Sequence, residues 1–450
     1  MRGTALVLAV GLLPAALGAQ GFGVYELSTC TMARGGAVAA NPCGDGSAIF
    51  FNPAGVSALT GTHVSLGLTT ITPSGGFTDD IFQQHTDMSS QTFLVPNVFV
   101  TRRMNDKLGL GIGLFVPYGL GTKWPLTFAG RFDGYDTEVK TFYIQPTASY
   151  QITPKLSLGL GVAYVHASVA LHQRLDLSTF EAAPGVTLGQ LGIPTGTEFG
   201  NADLTASGNG IAFNGGIIYK VTDQLSLGGH FMTKKTVHFT GTAAFKQLPT
   251  GLVLPAGNPI TQGPPLNVDG FLQATVFNST GPLAGGDAET DVTLPDQWSL
   301  GLDYKFSEKW HVSADYQRVV WGWFNTLVVS YTANPTTPLL SANERYRDSN
   351  GIRIGTEFQY SPNVTLRAGY IYNSAAAPDE TVTPRLPEGP RNSFIVGAGL
   401  NLTSSLRGDA SFMYLKQNDR RGRVSDVNTL NTGLYTFSAV LLGAGLSYTF

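Results

Sequence analysis

From Tyr435 to Phe450 the chain alternates apolar residues with small or polar ones, up to a terminal phenylalanine. Val440, Leu442, Ala444, Leu446, Tyr448 and Phe450 fall on one face, and Ala439, Gly443, Gly445, Ser447 and Thr449 on the other. Strand side chains repeat with a period of two, so one face is greasy and its opposite is slim and mostly polar. A soluble sandwich could explain one such strand. Here the pattern recurs along most of the chain and ends on an aromatic residue, which points to a transmembrane β-barrel.

The 450 residues include 55 glycines, and only 13% are charged. Mean hydropathy is +0.05, too low for a helical membrane protein. Net charge is −3, which gives no electrostatic case for a nucleic-acid partner. The one long apolar run, Thr4 to Leu17, follows Arg2 and precedes Gly18 and Ala19. It is short for a membrane span and reads as a secretory signal peptide over residues 1–19, cut near Ala19–Gln20. With no other helical span available, only a closed barrel would satisfy the backbone in a bilayer. The two cysteines, Cys30 and Cys43, both follow the leader. An exported chain meets an oxidising compartment and offers them no other partner, so a Cys30–Cys43 disulfide is expected. Closing a loop of this size stabilises by about 3 kcal/mol in the chain-entropy description.

Fourteen strand-like segments can be marked: 62–72, 92–103, 107–117, 137–151, 155–170, 203–220, 224–240, 290–306, 309–331, 346–361, 364–374, 391–403, 406–416 and 435–450. Several are joined by tight polar turns, such as Met104-Asn105-Asp106 and Ser361-Pro362-Asn363, where proline presets φ and Asn and Asp tolerate turn conformations. The other connections are long. Short turns alternating with long loops match the periplasmic and outer ends of a bacterial outer-membrane barrel. Charges fall opposite the grease, so Asp303, Lys305, Asp315, Arg353, Glu357 and Arg367 should face the lumen. Aromatics near strand ends, such as Tyr304, Phe306, Trp310, Tyr370 and Tyr372, would form interfacial girdles. Inward glycines leave room for a plug or a ligand. Residues 20–60 lack alternation and read as a compact element of short helices and turns. Their mix of apolar and small residues suits a buried plug better than a solvated tail, leaving 61–450 as the barrel.

The order of several segments resembles the FadL/TodX-type outer-membrane transporters of long-chain fatty acids and other hydrophobic compounds. These are Gly21-Phe22 through Glu26, Asp45-Gly46-Ser47, Asn52-Pro53-Ala54, Pro117-Tyr118-Gly119-Leu120 with Lys123-Trp124, and Leu294-Pro295 with Trp298, Trp310 and Trp321. Tyr346-Arg347-Asp348-Ser349, Leu366 to Tyr370 and Leu386-Pro387 continue the series. The resemblance implies an all-β barrel of 14 antiparallel strands with an N-terminal hatch in its lumen. It implies capture of an amphipathic ligand between long outer loops, passage to a site in the barrel, release by a hatch shift, and lateral exit where one strand is kinked. It implies no cofactor and no energy source beyond the gradient.

Asn52, Pro53 and Ala54, with Phe22, are the hatch or gate candidates, although Asn-Pro also starts ordinary turns. Pro117, Tyr118 and Gly119 are the wall-kink candidate, because proline cannot donate to the ladder; a plain strand end reads equally well. Leu177, Phe180, Leu188, Leu191, Phe245, Leu252 and Phe271 are apolar residues in long loops. They would line a ligand groove or pack the loops together as a lid. Lys305, Arg353 and Arg367 could meet a carboxylate head group or pair with lumen acids such as Glu357 or Asp303. Expected partners are a hydrophobic small molecule, outer-membrane lipid and lipopolysaccharide, and the barrel assembly machinery. No metal motif is present. Two rival readings are a diffusion porin for polar solutes and a lipase-like barrel enzyme. For the enzyme, His311 and Asp315 share a face but no nucleophile can be named.

Overall fold

The computed structural model describes residues 21–81, 83–331, 340–422 and 432–450; the expected leader lies outside the described residues. A closed antiparallel barrel of 14 strands dominates. In chain order the strands are β1 Thr62–Asp79, β2 Phe93–Arg103, β3 Leu108–Phe115 with Gly119–Lys123, β4 Asp136–Thr153, β5 Leu156–Leu175 and β6 Gly200–Lys220. Next come β7 Leu225–Met232 with Lys235–Gln247, β8 Gly286–Leu294 with Gln297–Ser307, and β9 Trp310–Val319 with Thr326–Tyr331. Then follow β10 Ser349–Ser361, β11 Val364–Asn373, β12 Arg391–Asn401, β13 Leu406–Gln417 and β14 Gly433–Thr449. Each strand pairs with its sequence neighbour, and β14 returns to β1 from His63↔Thr449 to Asp79↔Gly433. Closure removes both sheet edges.

The alternation of β14 maps onto the wall. Val440, Leu442, Leu446, Tyr448 and Phe450 are exposed on the outside, whereas Ala439 and Leu441 are buried. Leu160, Ile211, Phe213, Leu300 and Ile352 extend the outward apolar band. At the short-turn end Tyr304, Phe306 and Trp310 stack in series, with ring centres 4.8 and 4.6 Å apart.

Several strands run further than the sequence reading. β1 reaches Asp79 instead of 72, β5 reaches Leu175, β7 reaches Gln247, and β8 starts at Gly286. In β7 and β8 the added stretches carry polar outward residues, Thr242, Lys246, Asp287 and Glu289. A strand that leaves the hydrocarbon keeps its ladder but no longer needs a greasy face. Reading strands by grease therefore ends them too early.

Residues 21–60 occupy the barrel interior. They carry two short helices, α1 Thr29–Ala33 and α2 Ala48–Phe51, and a 3₁₀ turn at Pro53–Ala58. Ser28 caps α1 by accepting from Thr31 N at 3.2 Å, and a Cys30–Cys43 disulfide ties the segment together. Phe22, Tyr25, Leu27, Ile49, Phe50 and Phe51 are buried in one core with inward aromatics of the wall. Wall glycines let the segment lie close. A Cβ on Gly159 would stand 2.1 Å from the carbonyl carbon of Pro53, and one on Gly369 would stand 2.3 Å from Gly35 N.

Leu160 projects from β5 with 73% of its surface exposed. Leu160→Arg should cost about 2–4 kcal/mol if the site lies at mid-bilayer. Reversible denaturant unfolding in lipid vesicles would show it.

Candidate functional site

The lumen holds two chambers separated by the N-terminal segment. Toward the short turns is a polar chamber of about 810 Å³, lined by residues including Arg34, Asp45, His311, Glu357, Arg367 and Arg407. The turn Thr403–Leu406 lines it too, which places it at the periplasmic end. On the other side is an apolar cavity of about 110 Å³. Phe22, Val139, Val169, Leu204, Phe239 and Leu294 are among its walls, with Glu344 and Arg385 as charged groups.

The N-terminal segment is held by a few buried polar side chains. Asn52 Nδ2 donates to Ala39 O at 2.6 Å and Ile217 O at 3.0 Å, and its Oδ1 accepts from Ala54 N at 3.1 Å. Pro53 follows as the first residue of the 3₁₀ turn, a position that needs no N–H. Asn-Pro-Ala is thus both a local cap and a contact with the wall. Asp315 accepts from Val38 N and Ala39 N, each at 2.8 Å. Arg34 reaches Ser313 Oγ at 2.8 Å and Asp303 at 3.6 Å. Burying such groups is tolerated because each finds partners.

Arg353 lies over the ring of Tyr25 at 4.4 Å and donates to Gln317. Arg367 pairs with Glu357 and, at 2.6 Å, with Asp409. Lys305 pairs with Glu308 at 2.7 Å in the turn after β8. These three candidates therefore stand beside the N-terminal segment, in the polar chamber and at the turn, and none of them lines the apolar cavity. His311 and Asp315 do not meet as a pair: His311 contacts Asp303 at 2.9 Å, and Ser313 also donates to Asp303.

β3 is broken where Pro117 stands. Before the break Phe115 faces Tyr143 of β4; after it Gly119 faces Lys140, a shift of one residue. Tyr118 N donates to Thr141 Oγ1 at 3.2 Å, and that hydroxyl donates back to Tyr118 O at 2.7 Å. On the other side the β2–β3 ladder ends at Val98↔Leu114, so β2 residues 93–97 pair only with β1. The N-terminal segment enters this gap. Val24 N donates to Pro117 O at 2.8 Å, Gly119 N donates to Phe22 O at 3.0 Å, and Gly23 bridges Tyr118. Val24, Val95 and Val116 pack together there. Phe22 lies against Trp321 at 4.8 Å and Tyr118 at 6.1 Å, forming one wall of the apolar cavity.

Sequence reasoning missed Arg385, Lys235 and Glu388. Lys235 is 4% exposed, lies 4.8 and 4.7 Å from the rings of Tyr118 and Tyr143, and its Nζ has no hydrogen-bond partner among the described residues. Its inward position at the resumption of β7 follows from the alternation around Val237 and Phe239, but the irregular Thr233-Lys234 step hid it. Among the groove candidates, Leu188 is fully buried with Leu254 and Leu272 in a cluster of the outer loops. Leu177, Phe180, Leu191, Leu252 and Phe271 pack at its edge. Phe245 lies on β7, against Tyr331 at 6.0 Å.

A family described as outer membrane protein transport protein (OMPP1/FadL/TodX) matches residues 12–450. The chain belongs to this family. FadL/TodX relatives include the 47 kDa outer membrane protein of Pasteurella multocida (strain Pm70), 26% identical over 452 residues, 99% of this chain and 98% of that one. The long-chain fatty acid transport protein of Escherichia coli (strain K12) is 24% identical over 475 residues, again 99% and 98% of the two chains. A Pseudomonas aeruginosa FadL homologue superposes with a TM-score of 0.82 at 20% identity, covering 96% of this chain and all of that one. The P. putida toluene transporter TodX gives 0.70 at 22% identity, with 96% and 99% covered. This FadL/TodX chain is accordingly an outer-membrane transport protein.

Asn52→Ala removes an amide donor from the buried Ala39 carbonyl and the part-buried Ile217 carbonyl, and with it the cap on Ala54 N. It should weaken the N-terminal segment by about 2–3 kcal/mol while leaving the barrel folded, seen as faster amide exchange across 21–60. In the outer loops, Asp269 follows the cap of helix α3 (Val268–Thr275) and accepts from Thr250 N at 3.0 Å and Gly251 N at 2.9 Å. Desolvation opposes its charge, but these bonds hold its carboxyl below the usual range. A depressed folded pKa gives stability that is present above the ordinary carboxylate range and is lost as pH falls through the folded value. Proteolysis of the 248–285 loop should therefore rise on acidification below about pH 4, and Asp269→Asn should raise it already at pH 7.

Proposed function

We propose that this protein carries long-chain fatty acids or similar amphipathic hydrophobic molecules passively across the outer membrane. The observation that carries the reading is the apolar cavity between the outer loops and a segment that also stops a break in the barrel wall. Burying an alkyl chain there gains about 0.8 kcal/mol per CH₂, so a greasy path takes a ligand that an aqueous pore would not attract. In this scheme residues 20–60 are the hatch. Asn52, Pro53 and Ala54 fix it to the wall, and Phe22 is the part that meets cargo.

Capture begins at the outer-loop cluster, where Leu177, Phe180, Leu191, Leu252 and Phe271 form the accessible rim around buried Leu188, and passes Phe245 on β7. The ligand enters the cavity. Movement of the N-terminal segment then frees the Pro117–Tyr118–Gly119 break for lateral exit between β2 and β3. Binding and release differ because the segment's position changes the affinity of the site. We assign a carboxylate head group to Lys235, which stands behind the cavity wall rather than in it, against the rings of Tyr118 and Tyr143, with no hydrogen-bond partner for its Nζ among the described residues. Arg385 at the cavity wall already pairs with Asp133 at 2.7 Å. The relatives' names concern transport of long-chain fatty acids and toluene, in keeping with this cargo class and with a non-enzymatic role. The filled lumen argues against a diffusion porin. Insertion by the barrel assembly machinery and contact with lipopolysaccharide belong to the same proposal.

Cells lacking their own transporter should take up labelled palmitate when they express this protein. Uptake should fall about tenfold for Lys235→Met, in line with the loss of one charge-assisted contact, and should be lost or uncontrolled when residues 20–60 are deleted. No uptake by a barrel shown to be folded in the outer membrane would reject the fatty-acid reading.

A further inference from the structure

The connection between β11 and β12 folds inward and touches both β3 beyond the wall break and the segment that stops it. Its Thr383, Arg385 and Leu386 line the apolar cavity. Its backbone binds β3 beyond the break: Thr122 Oγ1 donates to Arg385 O and the Trp124 indole donates to Pro384 O, both at 3.0 Å. Its base carries Glu388, 3% exposed. That carboxylate accepts from Ala376 N and Ala377 N at 3.1 Å, within the connection, and from Gly21 N at 3.3 Å, in the N-terminal segment. Arg391, at the start of β12, donates to Gly21 O at 3.0 Å. Gly21 is therefore gripped at both backbone polar groups, and the next three residues are those that stop the break.

There is no slack in this arrangement. Gly21 has φ +56°, and a Cβ there would stand 2.5 Å from the ring of Trp321. The chain can approach the ring only as glycine, so its position depends on what holds its N–H and C=O. Burial pushes the Glu388 carboxyl upward, with Arg391 acting in the opposite direction, as befits an acid whose stability depends on its donors.

We propose that Glu388 is the positioning residue that couples occupancy of the apolar cavity to the wall: the β11–β12 connection senses the ligand, and Glu388 holds or frees Gly21 and with it the stop at Phe22–Val24. This rests on the transport reading above, yet its test needs no cargo. A ligand that displaces Leu386 and Arg385 moves Glu388, two to three residues away, and loosens its bond to Gly21. The two backbone bonds from the Phe22–Val24 stretch to Pro117 and Gly119 then lack their anchor. Because Thr122 and Trp124 are held by the same connection, β3 beyond the break responds together with the stop.

The test places a reporter thiol at Val24→Cys, with the native disulfide kept intact, and measures its labelling by a small maleimide in detergent-folded barrel without ligand. Folding is checked by heat-modifiable gel mobility. Glu388→Ala should raise the labelling rate about tenfold, the effect of losing one charge-assisted bond to a buried donor, and Glu388→Gln should fall between it and the parent. Asp379→Ala is the control: it breaks an ion pair of the same connection with Arg420 at 2.6 Å without touching Gly21, and should leave labelling unchanged. The Ala376 and Ala377 bonds make some loss of stability expected, so melting temperature alone does not decide; the split between Glu388 and Asp379 does. Unchanged labelling in folded Glu388→Gln, or an equal rise in Asp379→Ala, overturns the coupling.

Discussion

A peptide group in hydrocarbon has no water to bond, so each must find a partner in the protein. The rest of this structure depends on that constraint. It forces β14 to close on β1, aligns grease outward and small or polar residues inward, and makes any interruption of the ladder costly unless something else supplies the missing bonds. Pro117 is such an interruption. The Thr141 hydroxyl and the backbone of Phe22 to Val24 supply the bonds. The hydrogen-bond requirement that closes the barrel is thus met at this break by residues of the N-terminal segment.

The interior is organised by polar pairing and close approach. Asp315, Arg34, Asn52 and Arg353 each reach from the wall to the segment or from the segment to the wall, and each is buried. Isolated, such groups would cost several kcal/mol; paired, they add fixed polar contacts to the apolar core that the segment shares with the wall. The chambers on its two sides differ, polar toward the short turns and apolar toward the long loops.

The outer loops show why exposed-looking apolar residues in a sequence have two readings. Leu188 is fully buried, and Phe180, Leu191 and Phe271 are only partly so. The loop residues that the sequence offers as a groove or a lid pack, Phe245 apart, in one cluster with a buried centre and a partly buried rim. Periodicity cannot distinguish the two, because loops have no period; only the meeting of residues 177–199 with 252–283 decides it.

The sequence by itself determined the barrel, its 14 strands and which side chains face lipid, because the period of two and the polarity of the bilayer act residue by residue. It marked Pro117 for a local reason, since proline has no N–H to donate, and Asn52-Pro53-Ala54 through the family resemblance. Strand ends above the membrane were not legible, since Thr242, Asp287 and Glu289 continue a ladder without grease. Nor could the sequence assign partners to the inward charges. Arg353, Arg367 and Lys305 all looked alike, and tertiary structure gave them to Tyr25 and Gln317, to Glu357 and Asp409, and to Glu308. Lys235, with no acceptor for its Nζ among the described residues, and Glu388, joined to Gly21 across 367 positions, emerge only in three dimensions. Facing is set by local alternation, but pairing across a lumen is set by barrel closure, which brings together residues that no spacing relates.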